Sequence, residues 1–222
     1  MFTTILFDLD GTLTDPFEGI TGGILYALKG LNYECPPREE LVSFIGPPLF
    51  DEFIRRFGMD EDTSREAVRL YREYYLDGGM YENKLINGAE ATLGELKAMG
   101  KRVCLATSKP KIMAEKILEH FGLNGYFDYI GGATMDGTIG TKEQVVRLVL
   151  EQTGAQPSEC VLVGDRFHDI VGAHPVGMPC IAVLTGYGSL EEFEQYNADF
   201  VAETLSDSVC IIREKEIMLI DE

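Results

Sequence analysis

From about Asn87 onward the chain alternates short apolar runs with amphipathic stretches, and this alternation limits its possible folds more than any other feature. The pattern predicts helix Ala89 to Met99, strand Arg102 to Ala106, helix Lys111 to Phe121, strand Tyr126 to Ile130 and helix Lys142 to Thr153. It continues with strand Cys160 to Val163, helix His168 to His174, strand Cys180 to Leu184, helix Leu190 to Tyr196, a short strand Phe200 to Val201 and a last helix from Leu205. Strands that alternate with helices need right-handed crossovers and so build a parallel sheet. One further strand, Thr3 to Phe7, stands apart from this series. Between it and residue 87 the period is helical, over Phe17 to Leu31, Leu49 to Phe57 and Thr63 to Leu76, with breaks at Cys35-Pro36-Pro37 and Gly46-Pro47-Pro48. The expected fold class is therefore α/β, with a core from residues 1–15 and 87–222 and an inserted all-α domain of residues 16–86. A chain of 222 residues, 45% of them apolar, can fill both.

The strand Thr3 to Phe7 runs directly into Asp8-Leu9-Asp10-Gly11-Thr12. Ligands of open α/β sheets collect beyond the carboxyl ends of the strands, and glycine lets a chain turn sharply there. At roughly 5% usage per residue type, four fixed letters arise by chance in about one chain of this length in a thousand. Three more positions fall at the ends of predicted strands: Thr107 with Ser108, Lys142 at the start of a helix, and Gly164-Asp165-Arg166-Phe167-His168-Asp169. All would converge on one edge of the sheet, under the helical insert, where a mobile lid would sit. Asp8 with Asp165 supplies a hard, oxygen-only donor set of the kind Mg²⁺ takes. A carboxylate about 4 Å from a phosphate dianion is repelled by about 8 kcal/mol at an effective dielectric of 20, so attack on phosphate needs the cation and Lys142.

Composition narrows the partners. A net charge of −18 argues against nucleic acid and anionic membrane, both of which call for basic patches. No apolar run approaches the ~20 residues of a membrane span, no signal segment is evident, and a cytoplasmic location is expected. The cysteines at 35, 104, 160, 180 and 210 contain no CxxC pair and read as reduced core residues. His120 and His174 read as structural, and His168 as exposed or helix-capping rather than metal-bound. Lys109 reads equally well as a phosphate contact or as an exposed lysine before Pro110.

Taken together, Asp8-x-Asp10-Gly11-Thr12, Thr107, Lys142 and Gly164-Asp165-x-x-x-Asp169, in this order and with a helical insert after the first group, resemble the haloacid dehalogenase superfamily. The resemblance implies a Rossmann-like three-layer core, an α-helical cap of the first type and Mg²⁺-dependent phosphoryl transfer to water from a small phosphorylated metabolite. It assigns Asp8 as the nucleophile that forms an aspartyl-phosphate, and Asp10 as the acid and then base, with its backbone carbonyl on the metal. Thr107 and Ser108 would hold a phosphoryl oxygen, Lys142 would neutralise phosphate and nucleophile, Asp165 would ligate Mg²⁺ together with Asp8, and Asp169 would orient water or Lys142 from behind. Asp10 disfavours the superfamily's dehalogenases. The cap stretch Pro16 to Ile20 lacks the histidine of its mutases, and Lys29 keeps a phosphonatase only weakly in view. The segment Phe44-Ile45-Gly46-Pro47-Pro48-Leu49 resembles a substrate-specificity loop, with Gly46 as a substrate contact, of phosphoglycolate phosphatase-like members, and a phosphoglycolate phosphatase-like enzyme is expected; a similar pattern resembles members described as 5′-nucleotidases, which stand as the alternative. Tyr71, Tyr74, Tyr75 and Tyr81 read as cap core rather than as a base-stacking platform. A phosphate-binding regulatory protein without turnover is the alternative of a different class, and oligomeric state is left open.

Overall fold

The computed structural model describes residues 1–217; of the apolar stretch Ile217 to Ile220 near the end of the sequence, everything after Ile217 lies outside them. In chain order the elements are β1 (Thr4–Phe7), β2 (Thr14–Asp15), α1 (Phe17–Gly30), α2 (Leu49–Phe57), α3 (Glu61–Leu76), β3 (Lys84–Leu85), α4 (Ala89–Ala98) and β4 (Arg102–Pro110). There follow α5 (Lys111–His120), β5 (Tyr129–Ala133), α6 (Lys142–Thr153), β6 (Cys160–Gly164), α7 (Phe167–Ala173), β7 (Cys180–Val183), α8 (Leu190–Gln195), β8 (Phe200–Ala202) and α9 (Leu205–Ile217). The chain divides into two compact units, Met1–Thr14 with Leu85–Glu222, and Asp15–Lys84.

The first unit is built on a six-stranded sheet in the order β5-β4-β1-β6-β7-β8, with every pairing parallel. This is the doubly wound order, in which the direction of winding reverses beside the first strand and leaves a crevice at the carboxyl ends. Strand β1 is buried at all four residues, as expected where helices cover both faces. On one face Leu6, Cys104, Ala106, Leu162, Cys180 and Ala182 pack with Val145, Val146 and Val149 of α6 and Ile170 of α7. Helices α4, α5 and α9 pack on the sheet as well. The six-stranded parallel α/β core matches the expected class.

Three local readings need correction. The strand expected at Tyr126 to Ile130 begins only at Tyr129, because Asn124–Tyr126 forms a 3₁₀ turn and the Asp128 carboxylate takes the Val103 amide at 2.8 Å and the Lys97 ammonium. Strand β4 does not stop at Ala106: its pairing with β5 runs to Thr107, shifts, and resumes at Pro110, so Thr107 and Ser108 lie in a strand irregularity rather than beyond the strand. Cys35 and Cys210 are exposed, so the core reading holds only for Cys104, Cys160 and Cys180; all five are free thiols. In α9 the inward positions are Leu205, Val209 and Ile212, and Cys210 falls on the outer side of that helical period.

The second unit, Asp15–Lys84, is helical. Helix α1 packs on α3, as does α2, and a 3₁₀ turn at Arg38–Phe44 precedes α2. Its interior is aromatic: Phe44 lies 5.2 Å from Phe53 and 6.0 Å from Phe57 between ring centres, and Tyr71 stacks on Tyr75 at 5.2 Å. Tyr71 and Tyr75 are therefore core, whereas Tyr81 is exposed and Tyr74 donates its hydroxyl to Glu82. Gly46 sits in this unit, half-buried, at φ 108°, a conformation open to glycine.

Candidate active site

Strand β1 ends at Phe7, and the chain turns at once: the amides of Leu13 and Thr14 return to the Leu9 carbonyl at 2.9 and 3.0 Å, and the Gly11 amide donates to Thr14 O at 2.7 Å. Gly11 adopts φ +85°, and a Cβ there would lie 2.2 Å from Asp165 Oδ2. Both facts exclude a side chain, so the glycine brings the first acidic turn against the carboxylate that follows β6. Asp8 and Asp10 emerge from this turn only 7% and 9% exposed.

Lys142 is the first residue of α6, whose start is fixed by a capping box between Thr141 and Gln144. Its ammonium is buried, donates to the Ala106 carbonyl at 2.9 Å, and lies 2.7 Å from Asp8 Oδ1 and 2.9 Å from Asp169 Oδ1. These last two are charge contacts: their angles leave both carboxylate oxygens without a well-formed hydrogen bond. Burial alone would lower the lysine's proton affinity, but the charges of Asp169 and Asp8 outweigh it and hold the ammonium above the ordinary lysine range.

Asp165 is wholly buried, with Oδ1 accepting from the Thr12 hydroxyl at 3.1 Å and Oδ2 from the Tyr187 amide at 2.8 Å. Burial, and then the neighbouring charge of Asp169, push its carboxyl well above the usual range. Asp169 is raised too, by burial first, with Lys142 pulling against it. Carboxylate oxygens of Asp8, Asp165 and Asp169 all lie within 4.8 Å of one another. Crowded, buried, oxygen-only and short of positive charge, this set fits a hard divalent ion such as Mg²⁺.

Asp10 is not part of that cluster. Its carboxylate is gripped by Lys109, whose Nζ lies 2.8 Å from Oδ1 and 2.6 Å from Oδ2. Burial raises the Asp10 carboxyl, Lys109 offsets part of the rise, and Asp8 adds to it, leaving it above the ordinary value. Lys109 is only 9% exposed, which overturns its reading as a surface lysine: the irregular end of β4 carries it into the site. Thr107 is buried, and its hydroxyl accepts from the Lys109 amide at 3.2 Å; Ser108 beside it is half-buried.

His168 is half-buried rather than exposed and caps nothing; its Nε2 has no hydrogen-bond partner. Burial, then Arg166 and Lys142, push its imidazole down to about 4, so it is neutral at pH 7. His174 lies 3.0 Å from Asp199. The first unit thus brings together Asp8, Asp10, Thr107, Ser108, Lys142, Asp165 and Asp169, whereas Gly46 belongs to the other unit. Sequence reasoning assigned no role to the Thr12 hydroxyl or the Tyr187 amide. Thr12 stood inside the first acidic group, but a backbone amide such as that of Tyr187 leaves no mark in a sequence.

Residues 5–183 match the family described as haloacid dehalogenase-like hydrolase. A 5′-nucleotidase from Pseudomonas aeruginosa is 41% identical over 206 residues, covering 90% of this chain and 93% of its own. The pyrophosphatase PpaX from Bacillus velezensis is 32% identical, covering 92% and 94%. The crystal structure of a predicted phosphatase from Clostridium acetobutylicum superposes with a TM-score of 0.93 at 39% identity, covering 96% of this chain and 99% of that one. The chain belongs to the haloacid dehalogenase-like hydrolase family, as an enzyme of its phosphatase group.

Proposed function

We propose that this enzyme is a Mg²⁺-dependent phosphatase that hydrolyses small phosphomonoesters through a phosphoryl group carried on Asp8. The observation that supports it best is the buried Lys142 ammonium held between Asp8 and Asp169, with Asp165 completing the cluster. Asp8, Asp165 and the Asp10 backbone carbonyl are the candidate Mg²⁺ ligands. Mg²⁺ at that position supplies charge neutralisation for the transferring phosphoryl oxygens.

The remaining chemistry is assigned to the chain's own side chains. A carboxylate oxygen of Asp8 attacks phosphorus, the bond to the leaving oxygen breaks, and that oxygen takes the proton held by Asp10. The raised carboxyl of Asp10 suits a group that must carry a proton near neutral pH, and Lys109 keeps the rise from trapping it there. Asp10, now ionised, then takes a proton from water as the water oxygen attacks the same phosphorus. The bond from phosphorus to Asp8 breaks, giving inorganic phosphate and the free carboxylate. Thr107, the Ser108 backbone and Lys142 are assigned to the phosphoryl oxygens throughout, where donors aimed at developing charge act most strongly. Asp169 orients Lys142. The helical unit Asp15–Lys84 is assigned to substrate selection as the cap, with Gly46 admitting close approach to its backbone.

Among substrates, nucleoside 5′-monophosphates rank above phosphoglycolate, supported by the 41% identity to a 5′-nucleotidase. A panel of nucleoside monophosphates, phosphoglycolate and pyrophosphate, compared as kcat/KM with Mg²⁺ and with EDTA, tests the proposal. Turnover that EDTA abolishes and Mg²⁺ restores is expected. Equal turnover in EDTA, or none on any phosphate ester, refutes it; the latter would leave a binding protein without turnover.

A further inference from the structure

The matched family span ends at residue 183, yet the segment just beyond it is wrapped around the loop that follows β6. Gly186 stands so close that a Cβ there would be 2.1 Å from Asp165 Oδ2 and 2.3 Å from the Gly11 carbonyl. The next amide, of Tyr187, donates to Asp165 Oδ2 at 2.8 Å. At Gly188 a Cβ would lie 2.1 Å from the Asp165 carbonyl and 2.6 Å from the ring of Phe193, which is itself fully buried. Ser189 then caps α8, accepting from the Glu192 amide at 3.2 Å. That cap directs Glu192 back to the same loop: its Oε1 accepts from the Phe167 amide at 2.7 Å and from Arg166 Nε at 3.1 Å. Arg166 in turn gives its own amide to Asp169 Oδ2 at 3.1 Å.

We propose that Gly186–Glu192 is a clamp that fixes the Gly164–Asp169 loop, and so holds the proposed ion ligand Asp165 and the Lys142-orienting Asp169 in place for divalent-ion binding, with Glu192 as its key positioning residue. One arm, through Gly186 and Tyr187, touches Asp165 directly. The other acts at one remove, since Glu192 fixes Arg166 and Phe167, and Arg166 fixes Asp169. Without it, only the Arg166 amide on Asp169, the Thr12 hydroxyl on Asp165 and the Lys142 ammonium would hold three crowded carboxylates together. The arrangement has the form of an outer layer of hydrogen bonds that orients metal ligands, whose loss weakens metal affinity by about 10- to 100-fold in other sites. Glu192 touches neither phosphate nor metal in this account, so it acts on the ion and not on the ester. The inference rests on the divalent-ion site proposed above.

The test is a Mn²⁺ titration of the full-length protein, stripped with EDTA and desalted, read by electron paramagnetic resonance of the free ion, for wild type, Glu192→Ala and Glu192→Gln. Far-UV circular dichroism and urea unfolding establish that each variant is folded under the titration conditions. Glu192→Ala should raise the Mn²⁺ dissociation constant by about tenfold or more. In steady-state assays it should raise the activating Mg²⁺ concentration while leaving the KM for the phosphate ester at saturating Mg²⁺ unchanged. A merely structural role would lower the unfolding midpoint without moving the affinity of the folded protein. If Glu192→Ala fails to fold, Glu192→Gln decides in its place, since it keeps an acceptor for the Phe167 amide but lacks the charge facing Arg166. A weakening of about threefold or more is then expected. A folded variant that binds Mn²⁺ as the wild type does overturns the clamp. Wild-type protein that binds no Mn²⁺ overturns the divalent-ion site itself, a separate result.

Discussion

Replacing Lys142 by Met deletes the single ammonium lodged between Asp8 and Asp169 while keeping most of the buried stem. At 2.7 and 2.9 Å, and at an effective dielectric of 20, each contact has a gross attraction of about 6 kcal/mol. Recovery of the lysine's own burial cost cancels much of that, and breaking a buried pair by removing one partner typically costs about 3–5 kcal/mol. The metal-free variant should therefore lose about 3–5 kcal/mol at pH 7.5. The sign of its pH dependence follows from the carboxyls. In the wild type the Asp169 carboxyl is raised from near 3.8 to about 6, so the folded state takes up a proton more readily than the unfolded chain. Its ionisation therefore opposes folding, with no effect below about pH 4 and the full effect above about pH 6. Removal of Lys142 takes away the cation that pulls the Asp169 carboxyl down, so the variant's deficit should be largest at pH 7.5 and shrink by at least half at pH 4. Urea unfolding in EDTA, followed by circular dichroism at both pH values, measures it. A deficit under about 1 kcal/mol at pH 7.5, or one that grows toward acid, refutes the electrostatic account.

Gly11→Ala places a methyl group 2.2 Å from Asp165 Oδ2 at φ +85°, which should cost about 1–3 kcal/mol in urea unfolding and weaken Mg²⁺ activation; wild-type stability and activation would contradict it. Lys109→Met removes the cation that pulls the Asp10 carboxyl down, so the basic limb of the kcat/KM profile should move to higher pH, because Asp10 of the free enzyme must hold its proton to give it to the leaving oxygen; an unmoved limb would sink that pairing.

The parallel core was legible because strands buried on both faces must be continuously apolar, as Ile5, Leu6 and Phe7 are, and the helices between them must be amphipathic. The acidic ends of β1 and β6 were legible because few residue types can hold a hard cation. Lys109 was not: the same letter serves at a surface or in a site, and only the shifted register between Thr107 and Pro110 shows which. Cys210 misled because an apolar run on a helix has an outer side. The contacts of Tyr187 and Glu192 lay beyond reading, one being a backbone amide and the other joining residues 25 apart in the chain.

The central claim is that Asp8 carries the phosphoryl group. Enzyme mixed with a turned-over phosphomonoester, quenched in acid within one turnover and mapped by peptide mass spectrometry, should show a phosphate adduct on the peptide containing Asp8, absent in Asp8→Asn. An adduct on another residue, or undiminished turnover by Asp8→Asn, would contradict the account.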